Sequence, residues 1–294
     1  MTTVHHRYAT VDGKQLFYRE AGPADAPVLV LLHGFPTSSF MFRTLIPELA
    51  ADYHVIAPDH LGFGYSDAPY AAEFDYTFDA LTELSAGLLR ELGVSRYAIY
   101  VQDYGAPIGW RLALADPSAI TAIITQNGNA YDAGFVPSFW QGVWDYQREQ
   151  NPETEAGIRG ALSLEMTKWQ YVTGVPDESV VSPDTWQHDF ALLSRPGNDA
   201  VQLALFLDYA TNSPMYPALH AYLREHRPPV LAVWGENDPI FGPDGARAFA
   251  GDVPDAEIHL LDGGHFLLES AGAEVTALIR DFLGRRVLKP TVSK

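Results

Sequence analysis

The hydrophobic pattern alternates between short apolar runs and longer stretches with apolar residues every three or four positions. The short runs are Pro27-Val-Leu-Val-Leu-Leu-His33, Tyr53-His-Val-Ile-Ala-Pro58, Tyr97-Ala-Ile-Tyr-Val101, Ile120 to Thr125, Pro229-Val-Leu-Ala-Val-Trp-Gly235 and Glu257 to Leu261. Near-continuous apolar runs of this length predict strands covered on both faces. Helical spacing follows from the Thr37-Ser38-Ser39 cap to about Ala50, from Thr77 to Leu92 with Gly93 closing it, from about Ala106 to Ala115, around Gly245 to Ala250, and from Val275 to Leu283. Tyr8 to Arg19, with Asp12-Gly13 in the middle, predicts an opening hairpin. Strands alternating with helices imply an α/β fold: a mostly parallel, doubly wound sheet with helices on both faces.

From Ala130 to about Arg227 the alternation stops. Trp140, Trp144, Trp169 and Trp186, with Phe135, Phe139, Phe190 and Phe206, sit among helical spacings and Pro/Gly breaks. This predicts a helical cap subdomain, residues 130–227, inserted into a core built from residues 1–129 and 228–294.

Composition narrows the function classes. With 47% hydrophobic residues in 294, the chain can bury a large core. Lys and Arg total 19 against 37 acids, a formal charge of -18, so its field repels phosphate backbones and anionic membranes. Neither nucleic acid nor a membrane is an expected partner. The absence of cysteine rules out a thiolate nucleophile and a disulfide framework. Neither a signal-peptide core nor an apolar run of spanning length is present, which predicts a cytoplasmic protein.

Four polar residues fall at predicted strand ends, where ligands gather in sheets of this kind: His33, Asp103, Asp238 and His265. Asp103 sits where the strand gives way abruptly to a helix, with Gly105 two positions on. That places a carboxylate at a helix N-terminus, where an ordinary helix cap would also sit. Asn237-Asp238-Pro239 and Gly263-Gly264-His265 are each respectable turns alone. Their order, nucleophile, then acid, then His near the C-terminus, is the chain order of an α/β-hydrolase triad.

His33-Gly-Phe-Pro36, the Asp59 to Asp67 loop, Val101-Gln-Asp-Tyr-Gly105, Trp234-Gly-Glu-Asn-Asp238 and Gly264-His265 together resemble the motif set of α/β-hydrolases with an aspartate nucleophile, a group that includes epoxide hydrolases and haloalkane dehalogenases. The resemblance runs from about Tyr8 to Leu283; Val101 departs from the Gly usual at the elbow, as it does in dehalogenases. It implies that Asp103 attacks an sp³ carbon to form an alkyl ester, and that His265, oriented by Asp238, activates the water that hydrolyses it. It also implies that backbone N–H groups of Phe35 and Tyr104 stabilise the oxyanion, with His33, Gly34 and Pro36 positioning that loop.

The leaving group separates the two branches. A halide needs N–H donors, and dehalogenases resembling this chain carry Trp after the nucleophile and often Asn after the His-Gly. Here those positions hold Tyr104 and Phe35. An epoxide oxygen needs an acid, and the resemblance to soluble epoxide hydrolases points to Tyr146, in Trp144-Asp-Tyr-Gln147, and Tyr209, in Tyr209-Ala-Thr-Asn212. Tyr216 and Tyr171 are further candidates, and Trp140, Trp144 and Tyr216 are expected to line the pocket. The expectation is an epoxide hydrolase taking a small apolar epoxide and water, without cofactor or metal, as a possible homodimer. Haloalkane dehalogenation is the alternative, since Thr37-Ser-Ser39 and Val101-Gln-Asp resemble that branch. A non-catalytic binding relative is the alternative from another class, and it predicts a broken triad.

Overall fold

The computed structural model describes Thr2 to Leu288. Its strands are β1 (His5–Val11), β2 (Lys14–Ala21), β3 (Val28–Leu32), β4 (His54–Pro58), β5 (Tyr97–Val101), β6 (Ile120–Gln126), β7 (Val230–Gly235) and β8 (Glu257–Leu261). They form one sheet in the order β1-β2-β4-β3-β5-β6-β7-β8. The β1–β2 and β2–β4 pairs are antiparallel, and every pair from β4–β3 to β7–β8 is parallel. Asp12 and Gly13, at φ 47° and 77°, make the tight turn of the β1–β2 hairpin, as their sequence predicts.

The helices are α1 (Leu45–Leu49), α2 (Phe78–Glu91), α3 (Gly105–Ala115), α4 (Pro137–Arg148), α5 (Pro152–Gly160), α6 (Leu164–Val172), α7 (Pro183–Leu193), α8 (Asn198–Asp208), α9 (Asn212–His226), α10 (Pro243–Asp252) and α11 (Leu267–Leu283). Alternating residues of the central strands feed opposite faces, as the pleat requires. Val30, Leu32, Ile99 and Val101 pack with Leu84 and Leu88 of α2 and Ile108 of α3. Leu29, Leu31, Ala98 and Tyr100 pack with Ile46 of α1 and Val275 and Ile279 of α11.

Two helices differ from expectation for local reasons. The stretch after Ser38 is not one helix but a short 3-10 turn, Ser39–Phe42, capped by the Ser38 side chain and followed by α1. Pro47 lacks the N–H that a continuous helix would need there. Helix α11 begins eight residues before the expected Val275, with a kink at Ala271 (φ -129°, ψ 23°). Ser270-Ala-Gly-Ala273 carries no large apolar side chain, so its spacing gave no signal.

The segment from Ala130 to Arg227 holds α4 to α9. Helices α4, α5 and α8 pack on one another, α6 packs on α7, and α9 lies against α3 and α10 of the sheet region. No described helix is long and apolar enough to cross a membrane.

Gly105 opens α3 so close to β3 that a Cβ there would overlap the Leu32 carbonyl. Backbone cannot yield as a side chain can, so Gly105→Ala is predicted to destabilise by roughly 2–3 kcal/mol. Gly251→Ala, in open space on α10, should be neutral or slightly stabilising. Urea denaturation of both variants checks the contrast.

Candidate active site

The turn between β5 and α3 holds Asp103 at φ 46°, a left-handed conformation unusual for a residue with a Cβ. It aims the Asp103 carboxylate at the loop after β3. Gly34 allows the approach, because a Cβ there would collide with the Asp103 side chain. Asp103 Oδ1 accepts hydrogen bonds from both the Phe35 and Tyr104 backbone N–H groups, each at 2.6 Å. Oδ2 is left facing His265, whose Nε2 lies 3.8 Å away. The two oxygens of one carboxylate are therefore chemically distinct: one is held by two N–H donors, and the other faces His265.

His265 Nδ1 meets Asp238 Oδ2 at 2.8 Å, so the imidazole proton sits on Nδ1 and Nε2 is turned toward Asp103. Asp238 is fixed in turn, its Oδ1 accepting from Ile240 N at 2.8 Å and its Oδ2 from Asn127 Nδ2 at 2.7 Å. Asp103, Asp238 and His265 are all buried. Burial raises the Asp103 carboxyl to about 6, despite the opposing His265 and the two N–H donors. For His265 burial pulls downward, but Asp238, by charge and hydrogen bond, and then Asp103 carry it above its ordinary 6.5.

The loop bearing Phe35 is braced from behind. His33 Nε2 accepts from His60 N at 3.1 Å, so its Nδ1 proton goes to Gly34 O at 3.0 Å, while His60 Nε2 donates to His33 O at 2.9 Å. Burial lowers His33 to about 4 and keeps this pair neutral. Pro36 follows a cis peptide, and Asp59 ties the loop's far end by accepting from Ser39 N and Tyr65 N, both at 2.7 Å.

Above the elbow the walls are aromatic. Tyr209 is buried between Tyr104 (5.9 Å between ring centroids), Phe78 (5.6 Å) and Trp140 (4.6 Å). Burial, then Tyr216 and the nearby Asp103 carboxylate, push its hydroxyl well above the ordinary phenol value. Tyr216 takes an N–H from Asn129 at 3.4 Å and, with Phe135 stacked on its ring at 6.5 Å, completes this wall. Phe206 closes against Phe35 and Tyr104.

The other expected residues are distributed around this wall. Tyr146, expected as the second acid, is buried on α4, where Glu155 and Arg159 of α5 act on its hydroxyl. Trp140 sets the inward face of α4, and Tyr146 six positions on, at about 100° per residue, stands roughly 120° around the helix. Trp144 is half-buried, edge-on to Phe135 at 6.1 Å. Tyr171 donates to Asp189 at 2.5 Å and stacks on Phe266, behind His265. Trp140 lines the site, but its indole N–H is committed to the Ile240 carbonyl at 3.0 Å.

Three residues of the site were given no role from the sequence, although Gln102 stands inside the elbow motif. Gln102 contacts His265 Nε2 at 2.9 Å, Asn127 holds Asp238, and Gln126 Nε2 donates to His265 O at 2.9 Å. Gln126-Asn127 reads as a strand break; only the placement of β6 between β5 and β7 aims both amides at the site.

Residues 27–271 match a family model described as alpha/beta hydrolase fold. The chain belongs to that family. Among its relatives, Uncharacterized hydrolase YNR064C of Saccharomyces cerevisiae is 43% identical over 268 residues, covering 90% of this chain and 92% of the yeast protein. A Haloalkane dehalogenase of Mycobacterium marinum is 32% identical, covering 90% and 87%. Epoxide hydrolase 3 of Mus musculus is 26% identical, covering 92% and 76%. The chain is a hydrolase of this fold.

The raised Asp103 carboxyl has a stability consequence. Its folded value, about 6, lies above the ordinary 3.8, so the ionised group weighs against the fold as pH rises through that window and fully above it. Asp103→Asn is predicted to stabilise the fold by about 2–3 kcal/mol at pH 8 and by little at pH 4. Thermal unfolding across that range measures it; a constant difference would show that the carboxyl is unperturbed.

Proposed function

We propose that the protein opens apolar epoxides to vicinal diols through an alkyl ester on Asp103. Asp103 Oδ2 attacks an epoxide carbon as the Tyr209 hydroxyl gives its proton to the departing ring oxygen. Water, activated by His265, then attacks the ester carbonyl, and the charge developing on Oδ1 is met by the Phe35 and Tyr104 N–H groups. Removing one such donor typically costs roughly 3 kcal/mol of barrier.

What supports this reading is that Tyr209, whose ring packs on Tyr104 of the elbow at 5.9 Å and whose hydroxyl is pushed up by the Asp103 carboxylate, stands in the wall where a halide would need N–H donors. Phe35 and Tyr104 offer no side-chain N–H, and the Trp140 indole is already bonded. Tyr216, held by the Asn129 amide, packs beside Tyr209 in the same wall. An apolar cleft of about 790 Å³, lined by Phe139, Val143, Ile158, Met166, Trp169 and Phe206 among others, adjoins the site through Phe206 and suits an aryl or alkyl substituent.

Dehalogenation is the second reading, favoured by the Mycobacterium marinum relative. Styrene oxide and 1-bromobutane separate the two: we predict diol from the first and no appreciable bromide from the second. Brisk bromide release without diol would reverse the assignment. In His265→Ala the ester should accumulate, and intact mass should rise by the whole mass of the epoxide, since ring opening expels nothing. An unmodified mass with an epoxide that the wild type turns over would sink the covalent route.

Tyr209→Phe is predicted to slow ester formation roughly 10²-fold or more. Tyr146→Phe, on a face of α4 turned about 120° from Trp140, should change it less than about threefold. Rapid-quench kinetics on both variants test the choice of acid; equal losses would restore Tyr146.

A further inference from the structure

Gln102 precedes the Asp103 elbow and is fully buried. Its backbone is pinned on both sides, its N–H donating to Leu32 O at 3.1 Å and its carbonyl accepting from Gly105 N at 2.8 Å. From that anchor its side-chain Nε2 reaches His265 Nε2 at 2.9 Å, the nitrogen that also faces Asp103 Oδ2. The other end of the same amide, Oε1, is buried without a hydrogen-bond partner. An unpaired buried carbonyl is costly, typically about 1–3 kcal/mol, so its retention beside the base calls for a reason.

We propose that Gln102 is a positioning residue for His265, its amide turning over to follow the proton on Nε2. The neutral imidazole carries its proton on Nδ1 toward Asp238, so Nε2 offers a lone pair and Gln102 donates N–H to it. Once Nε2 is protonated, donor meets donor. A half-turn about the terminal bond of the side chain brings the otherwise unpaired Oε1 to the same point, where it accepts the new N–H. One amide thus serves both protonation states and keeps the ring in register with Asp103.

The kinetic consequence rests on the ester mechanism proposed above. Water adds to Asp103 Cγ, forming a C–O bond while the carbonyl electrons move to Oδ1 and the water's proton moves to Nε2. The bond from Cγ to the alkyl oxygen then breaks, and the departing alkoxide takes the proton from Nε2. The regenerated carboxyl releases its own proton, which returns to Tyr209. Nε2 is therefore protonated and deprotonated within one turnover, and Gln102 must answer each change.

The titratable groups facing His265 are Asp238, beyond β7, and Asp103, at the elbow. The Phe241 and Phe266 rings pack against it at 6.1 Å and 5.2 Å, and Gln126 holds its carbonyl. Neither carboxylate can donate to a neutral Nε2, which leaves that task to Gln102.

The test is an NMR pH titration of His265 in the full chain labelled with ¹⁵N-histidine, assigned by comparison with His265→Asn. It needs no substrate, so it stands whether or not the epoxide reading holds. Gln102→Glu, which accepts but does not donate, should raise the His265 midpoint by about one unit or more. Gln102→Met loses a bond to each protonation state, but the one to the charged imidazolium is the stronger, so it should lower the midpoint by about half a unit or more, and it serves if the Glu variant does not fold. In rapid-quench experiments with styrene oxide, Gln102→Met should slow ester hydrolysis about tenfold, with ester formation changed less than about threefold. A His265 midpoint in folded Gln102→Met that coincides with wild type would overturn the proposal. If styrene oxide were inert even to wild type while the midpoints moved, the positioning role would stand and the substrate reading would fall.

Discussion

Two backbone N–H groups converging on one oxygen of Asp103 are the constraint around which the rest of this structure is arranged. They come from chain segments far apart in sequence, Phe35 after β3 and Tyr104 at the elbow, and both must reach Oδ1 at 2.6 Å. That requires a left-handed backbone at Asp103, two glycines without Cβ atoms at the closest approaches, and a braced loop. A residue held in such a conformation costs of order 1–3 kcal/mol, and hydrogen bonds to a charged group return roughly 1.5–3 kcal/mol each. The strain is thus sustained by the bonds it creates, while the neutral His33–His60 pair and Asp59 keep the loop from relaxing away.

The same arrangement gathers three ionisable groups into a water-poor interior. Burial disfavours the charged form of each, and their mutual proximity works against that trend. Asp103 ends up raised and His265 also raised, because one loses more to burial than its neighbours restore and the other gains more from Asp238 and Asp103 together than burial removes. A carboxylate that is poorly solvated is a better nucleophile than one at the surface. Stability is given up where reactivity is needed, as the large aromatic and aliphatic core on both faces of the sheet permits.

Most of this was legible in the sequence, for reasons that differ by residue. The parallel strands were visible because their both-face burial leaves unbroken apolar runs, and Asp103, Asp238 and His265 stood at strand ends in a telling order. The short α1 and the early start of α11 were missed where Pro47 and a run of small residues override or silence the helical period. The motif resemblance that points to Tyr146 fixes neighbours along the chain but not the rotation of a helix about its axis. That rotation is set by Trp140 packing on Tyr209 and Phe241. Gln126 and Asn127 stayed silent, and Gln102 was read only as part of the elbow motif, because glutamine and asparagine beside a turn look like solvent-facing punctuation until neighbouring strands close over them.

The inequality between the two oxygens of Asp103 also gives them different lifetimes. In the proposed chemistry the free oxygen leaves with each product molecule and is replaced from water, while the oxygen under Phe35 and Tyr104 is never released. One half of the carboxylate is a permanent part of the protein and the other is a consumable, renewed at every cycle. The enzyme would thus rebuild part of its own side chain from solvent each time it turns over.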